Sequence, residues 1–181
     1  MNRIRLATTW LDGCSGCHMS LLDIDERLIE IVDMVDIVYS PLVDVKKFPE
    51  GVDITLVEGA VSSEDDSEKI RHIREKTRIL VSLGDCAVTA NVSGMRNRFA
   101  VSDLLDRAYR ENASHSLAGL NQVPADVVPC LHYSSRPVHE VVKVDVYVPG
   151  CPPHAGTIYF MMTELLNGSF PDLTGKTRFG L

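Results

Sequence analysis

Short runs of strand character alternate with stretches of helical period along this chain, and that alternation fixes the class of fold. Residues 3–10 (RIRLATTW) read as a short strand, 52–57 (VDITLV) as a compact apolar one and 79–81 as another. Residues 141–148 (VVKVDVYV), rich in β-branched side chains, read as the clearest strand. From Ser20 onward, Leu21, Ile24, Leu28, Ile31 and Val35 recur at three- and four-residue steps, with Asp23, Asp25, Glu26 and Glu30 largely opposite. That is the pattern of an amphipathic helix. Residues 36–39 follow as a candidate strand closed by Pro41. Ser63-Glu64-Asp65-Asp66 offers an N-cap and an acidic first turn, and Ile70 and Ile73 carry that helix to about Thr77. Helices are also expected over 102–110 and 154–166. The alternation implies a parallel sheet with helices on both faces, whose ligands sit beyond the carboxyl ends of the strands. Residues 111–140, with Pro124, Pro129 and Pro137, keep no lasting period and read as a long irregular segment that faces a partner.

The chain has 181 residues, the length of a single domain, and its 45% hydrophobic and 24% charged residues exclude disorder. No apolar run approaches the roughly 18 residues of a membrane span. A formal charge of −7 without a basic patch argues against nucleic acid and anionic membrane surfaces as partners. The N-terminus shows neither a hydrophobic signal region nor a twin arginine, so a cytoplasmic protein is expected. Five cysteines are an odd number in a reducing compartment and point to metal or redox chemistry instead of disulfides. Cys14 and Cys17 follow the first strand, Cys86 follows 79–81 and Cys151 follows 141–148. All four lie on strand-exit loops that one crevice can gather, whereas Cys130 falls in the irregular segment and reads as a bystander.

Several chemistries compete for these residues. Cys14-Ser15-Gly16-Cys17 between a strand and a helix suits a thioredoxin-like dithiol, but that reading leaves Cys86 and Cys151 unexplained. With His18 the same stretch spells a c-type haem attachment site, a chemistry normally found outside the cytoplasm. Structural zinc usually draws on closely spaced ligand pairs, unlike Cys86 and Cys151. A cubane of four irons takes thiolates from several loops and fits best, and Gly13, Gly16, Gly84 and Gly150 could help expose N–H donors beside its ligands.

Four blocks then occur in order: Thr9-Trp10-Leu11-Asp12-Gly13-Cys14-Ser15-Gly16-Cys17, Val57-Glu58-Gly59-Ala60, Gly84-Asp85-Cys86-Ala87 and Pro149-Gly150-Cys151-Pro152-Pro153. Together they resemble the small subunit of nickel–iron hydrogenases over nearly the whole chain. The short form, with Cys-His-Met-Ser, Leu22-Asp23-Ile24-Asp25-Glu26 and the stretch from Arg136 to Asp145, is most similar to the cytoplasmic, bidirectional NAD(P)-linked members. The resemblance implies a flavodoxin-like α/β domain spanning 1–181, with a proximal [4Fe-4S] cluster on Cys14, Cys17, Cys86 and Cys151. It also implies a large partner subunit bearing the nickel–iron centre that splits hydrogen. A diaphorase module with further clusters, FMN and the NAD(P) site would exchange the electrons. An FMN on this chain itself is a further expectation of the flavodoxin-like fold, although the cluster ligands occupy the first loop, where a flavodoxin holds phosphate. Other cytoplasmic hydrogenases and the related complex I subunit are the neighbouring alternatives; the latter carries two adjacent cysteines where this chain has CxxC. The family's usual glutamate just after the CxxC is Met19 here.

Glu58, His18 and His154 are candidates for hydrogen bonding around the ligands, each weighed against a purely structural role: a carboxylate beside the Gly59 turn, or a histidine at a helix start. Trp10 reads as packing at a subunit or sheet interface, and Arg96 and Arg98 as exposed arginines available to a partner. Gly175-Lys176-Thr177 lacks the earlier glycine of a phosphate loop, since Phe170 stands there. The spellings Asn91-Val92-Ser93, Asn112-Ala113-Ser114 and Asn167-Gly168-Ser169 match glycosylation sequons that a cytosolic chain would not use.

Overall fold

The computed structural model describes residues 3–111 and 123–180. Its strands are β1 (Ile4–Trp10), β2 (Val35–Tyr39), β3 (Val52–Glu58), β4 (Val61–Ser63), β5 (Thr77–Leu83), β6 (Leu131–Arg136) and β7 (Val146–Val148). Its α-helices are α1 (Gly16–Leu22), α2 (Leu28–Val32), α3 (Glu64–Lys76), α4 (Asp85–Thr89), α5 (Asn91–Gly94), α6 (Val101–Leu105) and, last, α7 (Ala155–Leu166). Five strands pair in parallel in the order β2-β1-β3-β5-β7, while β4 and β6 form a separate antiparallel ribbon. With the ribbon set aside this is the flavodoxin-like order, and the chain direction across the sheet switches beside β1.

The sheet is covered on both sides, so its middle strand alternates between two cores instead of between core and solvent. Leu56 and Ile54 of β3 join Leu6, Val81 and Val146 against Ile24, Ile31, Ile158, Met161 and Leu165. Val57 joins Leu80 on the other face against Ile70, Ile73, Val138 and Val144. The α3 start is as expected: Ser63 accepts from the Asp66 N–H at 3.2 Å and Asp66 accepts from the Ser63 N–H at 3.0 Å, a reciprocal cap.

Two expected elements are shortened. The helix read from Ser20 to Val35 is broken: α1 ends at Leu22, Asp25 takes φ +58°, a single 3-10 turn follows, and Val35 already belongs to β2. Ile24, Ile31 and Val35 still reach one core, so the apolar stripe records burial along a bent path and not one continuous helix. Likewise only Val146–Val148 of the stretch 141–148 is strand. Val138–Glu140 is a 3-10 turn, and Val138 and Val144 fill the core under α3 with Val141 and Val142 packed against it. β-Branched content there reflects packing instead of strand pairing. Asp145 closes the gap by exchanging bonds with Leu80: its N–H donates to the Leu80 carbonyl and its Oδ2 accepts from the Leu80 N–H, both at 2.9 Å.

The helix expected at 102–110 is α6 followed by one π-helical stretch, Asp106–Arg110. The segment 111–140 contains β6, which pairs with β4; residues 112–122, with the second sequon spelling, lie outside the described residues. No helix among the described residues is long and apolar enough to cross a membrane.

Candidate functional site

Three loops leave the carboxyl ends of β1, β5 and β7, and they carry the four cysteines singled out above. Ser15, at φ +67°, turns the chain from the first loop into α1, which places Cys17 in that helix's first turn and Cys14 just before it. Cys86 lies in the first turn of α4 and Cys151 just past β7. Cys17 is buried, Cys86 half-buried, and Cys14 and Cys151 exposed.

The four thiols share one electrostatic environment. Burial pushes the Cys17 thiol well above its ordinary value, and the neighbouring Glu58, Cys86, Cys14 and Cys151 push it further. Burial also raises Cys86, offset by N–H bonds from Val92 and Ser93, with Cys151 and Cys14 adding to the rise. Cys130 stands apart, exposed at the start of β6, where its carbonyl accepts from the Glu64 N–H at 3.1 Å. Among the described residues, no three His, Cys, Asp or Glu are close enough together to hold a single metal ion. The thiols are gathered at one edge but not onto one point.

Glycine is required at the centre of this edge. A Cβ on Gly84 would lie 2.2 Å from Cys17 Sγ, at φ +84°. The expectation that Gly84 and Gly150 expose N–H donors to the ligands is corrected here. The Gly84 N–H donates to the Val148 carbonyl and the Gly150 N–H to Asp85 Oδ1. The donors come instead from α5: the Val92 and Ser93 N–H groups reach Cys86, and Asn91 Nδ2 lies 3.5 Å from Cys151 Sγ. The first sequon spelling, 91–93, thus lies beside the thiols, with the Asn91 amide donating to Cys151 sulfur and the backbone of Val92 and Ser93 favouring the Cys86 thiolate. Its signal in the sequence was a short polar stretch five residues past a cysteine, too weak to read without the turn at Ala90 (φ +64°) and Asn91 (φ +25°).

Glu58 and His18 come together as a buried pair, 1% and 2% exposed. Glu58 Oε2 accepts from the His18 N–H at 2.9 Å and shares a hydrogen bond with His18 Nδ1 at 2.5 Å. Trp10, which is exposed, meets the His18 ring edge-on at 5.4 Å. Among the described residues, Glu58 Oε1 and His18 Nε2 have no hydrogen-bond partner. His154 is not brought into this group: its Nδ1 accepts from the Gly156 N–H at 3.0 Å and caps α7. Arg96 turns inward, donating to the Ser62 and His132 carbonyls, both at 3.1 Å.

The family model described as NADH ubiquinone oxidoreductase, 20 Kd subunit, matches residues 14–165. The chain belongs to this family. It is 42% identical over 172 residues to the NAD-reducing hydrogenase HoxS subunit delta of Cupriavidus necator, covering 94% of this chain and 82% of that one. It is 37% identical over 174 residues to a chain of the F420-non-reducing hydrogenase vhu of Methanocaldococcus jannaschii, covering 96% of this chain and 59% of the relative. A chain in the crystal structure of an NAD+-reducing [NiFe]-hydrogenase in the H2-reduced state superposes with a TM-score of 0.93 at 40% identity, over 98% of this chain and 99% of that one. The resemblance carried by the four motif blocks is borne out, as is the α/β class with a parallel sheet.

Proposed function

We propose that this chain is the electron-transfer small subunit of a cytoplasmic, NAD(P)-linked nickel–iron hydrogenase, and that 1–181 forms its single cluster-binding domain. The observation that carries the proposal is the convergence of Cys14, Cys17, Cys86 and Cys151, from three strand-exit loops, on one electrostatic neighbourhood. Those four residues are the ligands, and a [4Fe-4S] cluster bound there supplies one-electron exchange. Three features support the fit. The donors are four soft sulfurs, the ligand type that suits an iron–sulfur cluster. The Gly84 cradle leaves room for Cys17 Sγ where any Cβ would remove it. The α5 amides and Asn91 supply hydrogen bonds to ligand sulfur, one of the levers that set a cluster's potential. The His18–Glu58 pair holds the Glu58 carboxylate close enough to act on Cys17.

Hydrogen cleavage then belongs to a large subunit carrying the nickel–iron centre, and NAD(P) reduction to diaphorase subunits with further clusters and FMN. The relatives named above, an NAD-reducing hydrogenase subunit among them, favour this assembly over a dithiol or haem protein. The test is iron and acid-labile sulfide analysis with EPR on anaerobically purified protein. About four of each per chain is expected, lost in Cys151→Ser and kept in Cys130→Ser. Wild-type iron content in Cys151→Ser, a Soret band, or a protein without iron overturns the reading.

A further inference from the structure

We propose that Asp85 is a positioning residue that holds the Cys86 and Cys151 loops in register, and that the C-terminal tail, through Gly180, is the strap that locks it; this rests on the cluster reading above. Asp85 precedes Cys86 and is 3% exposed; Gly150 precedes Cys151. The ladder between β5 and β7 ends at Leu83 and Val148, followed by a bond from the Gly84 N–H to the Val148 carbonyl at 2.8 Å. Beyond that point Asp85 takes over the pairing. Its own N–H donates to the Gly150 carbonyl at 2.8 Å, and its Oδ1 accepts from the Gly150 N–H at 2.7 Å. Both polar backbone groups of Gly150 therefore end on a single residue, one position away from a cysteine on each side.

The second carboxylate oxygen reaches a different part of the chain. Oδ2 accepts from the Gly180 N–H at 2.7 Å. The tail is guided there along α7: Thr157 Oγ1 donates to the Lys176 carbonyl at 2.9 Å, and Lys176 Nζ lies 4.4 Å from the centre of the Phe160 ring. Its residues 175–178 face Pro149, Pro152 and Pro153 across a cavity of about 810 Å³, so the strap runs beside the Cys151 loop.

The residue type follows from the donors. Two N–H groups, one per oxygen, need an acceptor at both ends of the side chain, and only a carboxylate offers that; an amide presents a donor at one end. Among the described residues no lysine or arginine pairs with Asp85, so the amides are what make a buried carboxylate tolerable here.

The experiment uses the assembled protein with its cluster, under anaerobic conditions. It reads the rate at which bathophenanthroline disulfonate strips iron, together with the EPR line shape of the reduced cluster. Asp85→Asn keeps an acceptor for Gly150 and turns its amide to the tail, while Gly180→Pro removes the tail donor and, because proline cannot hold the φ of +72° at that position, releases the end of the tail with the Asp85 side chain itself unchanged. Both should strip about tenfold faster than wild type and keep the wild-type line shape, because each loses the hydrogen bond that ties the tail to residue 85 and restrains loop opening. Asp85→Ala loses both bonds and should strip faster still, with an altered line shape. Wild-type stripping rates in Asp85→Asn and Gly180→Pro overturn the proposal even if Asp85→Ala fails to fold. A wild-type protein without iron overturns the cluster reading itself.

Discussion

Gly84→Ala is the most direct test of how closely the β5 exit is built around Cys17. The added Cβ would lie 2.2 Å from Cys17 Sγ and 3.5 Å from the Gly150 carbonyl oxygen. Non-bonded heavy atoms rest at about 3.5–4.0 Å, so the sulfur or the backbone must move by well over an ångström. Cys17 cannot yield easily, because it is buried in the core that holds Ile24, Leu83 and Ile158. The backbone adds its own penalty: φ +84° with ψ 161° is a region essentially reserved for glycine, worth about 1–3 kcal/mol for any other residue. With overpacking of about 1–3 kcal/mol more, the total comes to roughly 2–6 kcal/mol, or about 10 °C in the unfolding midpoint of a domain this size at the middle of that range. Gly168→Ala supplies the control, since that glycine has φ +81° but nothing within 4 Å of its Cβ position. It should lose only the left-handed backbone term, about 1–2 kcal/mol. Thermal scans at one heating rate compare the two variants, with iron per chain measured alongside. Equal midpoints, together with wild-type iron in Gly84→Ala, refute the reasoning, because the contact with Cys17 is the main steric difference between the two sites.

The joint between α3, β5 and the approach to β7 gives a second test. Arg74 donates to Asp145 at 2.6 Å and to the Thr77 carbonyl at 2.6 Å, so Arg74→Ala should lower stability at neutral pH by about 1–2 kcal/mol after solvent screening. Burial alone would raise the Asp145 carboxyl, but the Leu80 N–H, the Arg74 bond and charge and the Lys143 charge outweigh it and hold it below the ordinary value. A depressed folded pKa stabilises above the unfolded pKa and loses that stabilisation as pH falls through the folded value. Denaturant midpoints of wild type and Asp145→Asn should therefore converge below about pH 4 and separate above it; a constant gap contradicts this. Ser63→Ala, which removes one half of the α3 cap, should cost about 1 kcal/mol, read as a lower midpoint with an unchanged denaturant slope. Asn91→Ala should keep iron content but lower the cluster potential, since a lost donor to Cys151 sulfur destabilises the more negative, reduced form; an unchanged potential places Asn91 outside the site's electrostatics.

Residues with a local cause were legible from the sequence. Ser63 followed by Asp66 needs only one helical turn to form its cap, and the apolar runs of β3 and β5 need only burial on both faces. What misled was apolar spacing whose cause is tertiary. Leu21 through Val35 keeps a helical period although Asp25 breaks the helix, because a bent path can still turn the same residues inward. Val138, Val144 and their neighbours are apolar because α3 packs over them, a fact that 141–148 cannot state on its own. The β4–β6 ribbon joins residues far apart in the chain through two short, poorly patterned strands, and period alone cannot detect such a pairing.

The candidate site divides along the same line. The four cysteines were legible because topology puts every strand exit on one edge, so placing the strands placed the thiols. The groups that surround them were not, because each works through backbone geometry. Gly84 matters for the Cβ it lacks and not for an N–H it offers, and Asn91, Val92 and Ser93 matter because a turn through positive φ aims them at sulfur. Glu58 and His18 lie on β3 and α1, and only the β1–β3 pairing, with Trp10 opposite Glu58, puts them side by side. Strand order thus brings the thiols to one edge, whereas their exact placement, their hydrogen bonds and the nearby carboxylates depend on individual turns. On the cluster reading proposed above, substitutions in those turns, Asn91→Ala foremost, should tune the potential of the site while leaving its four thiols in place.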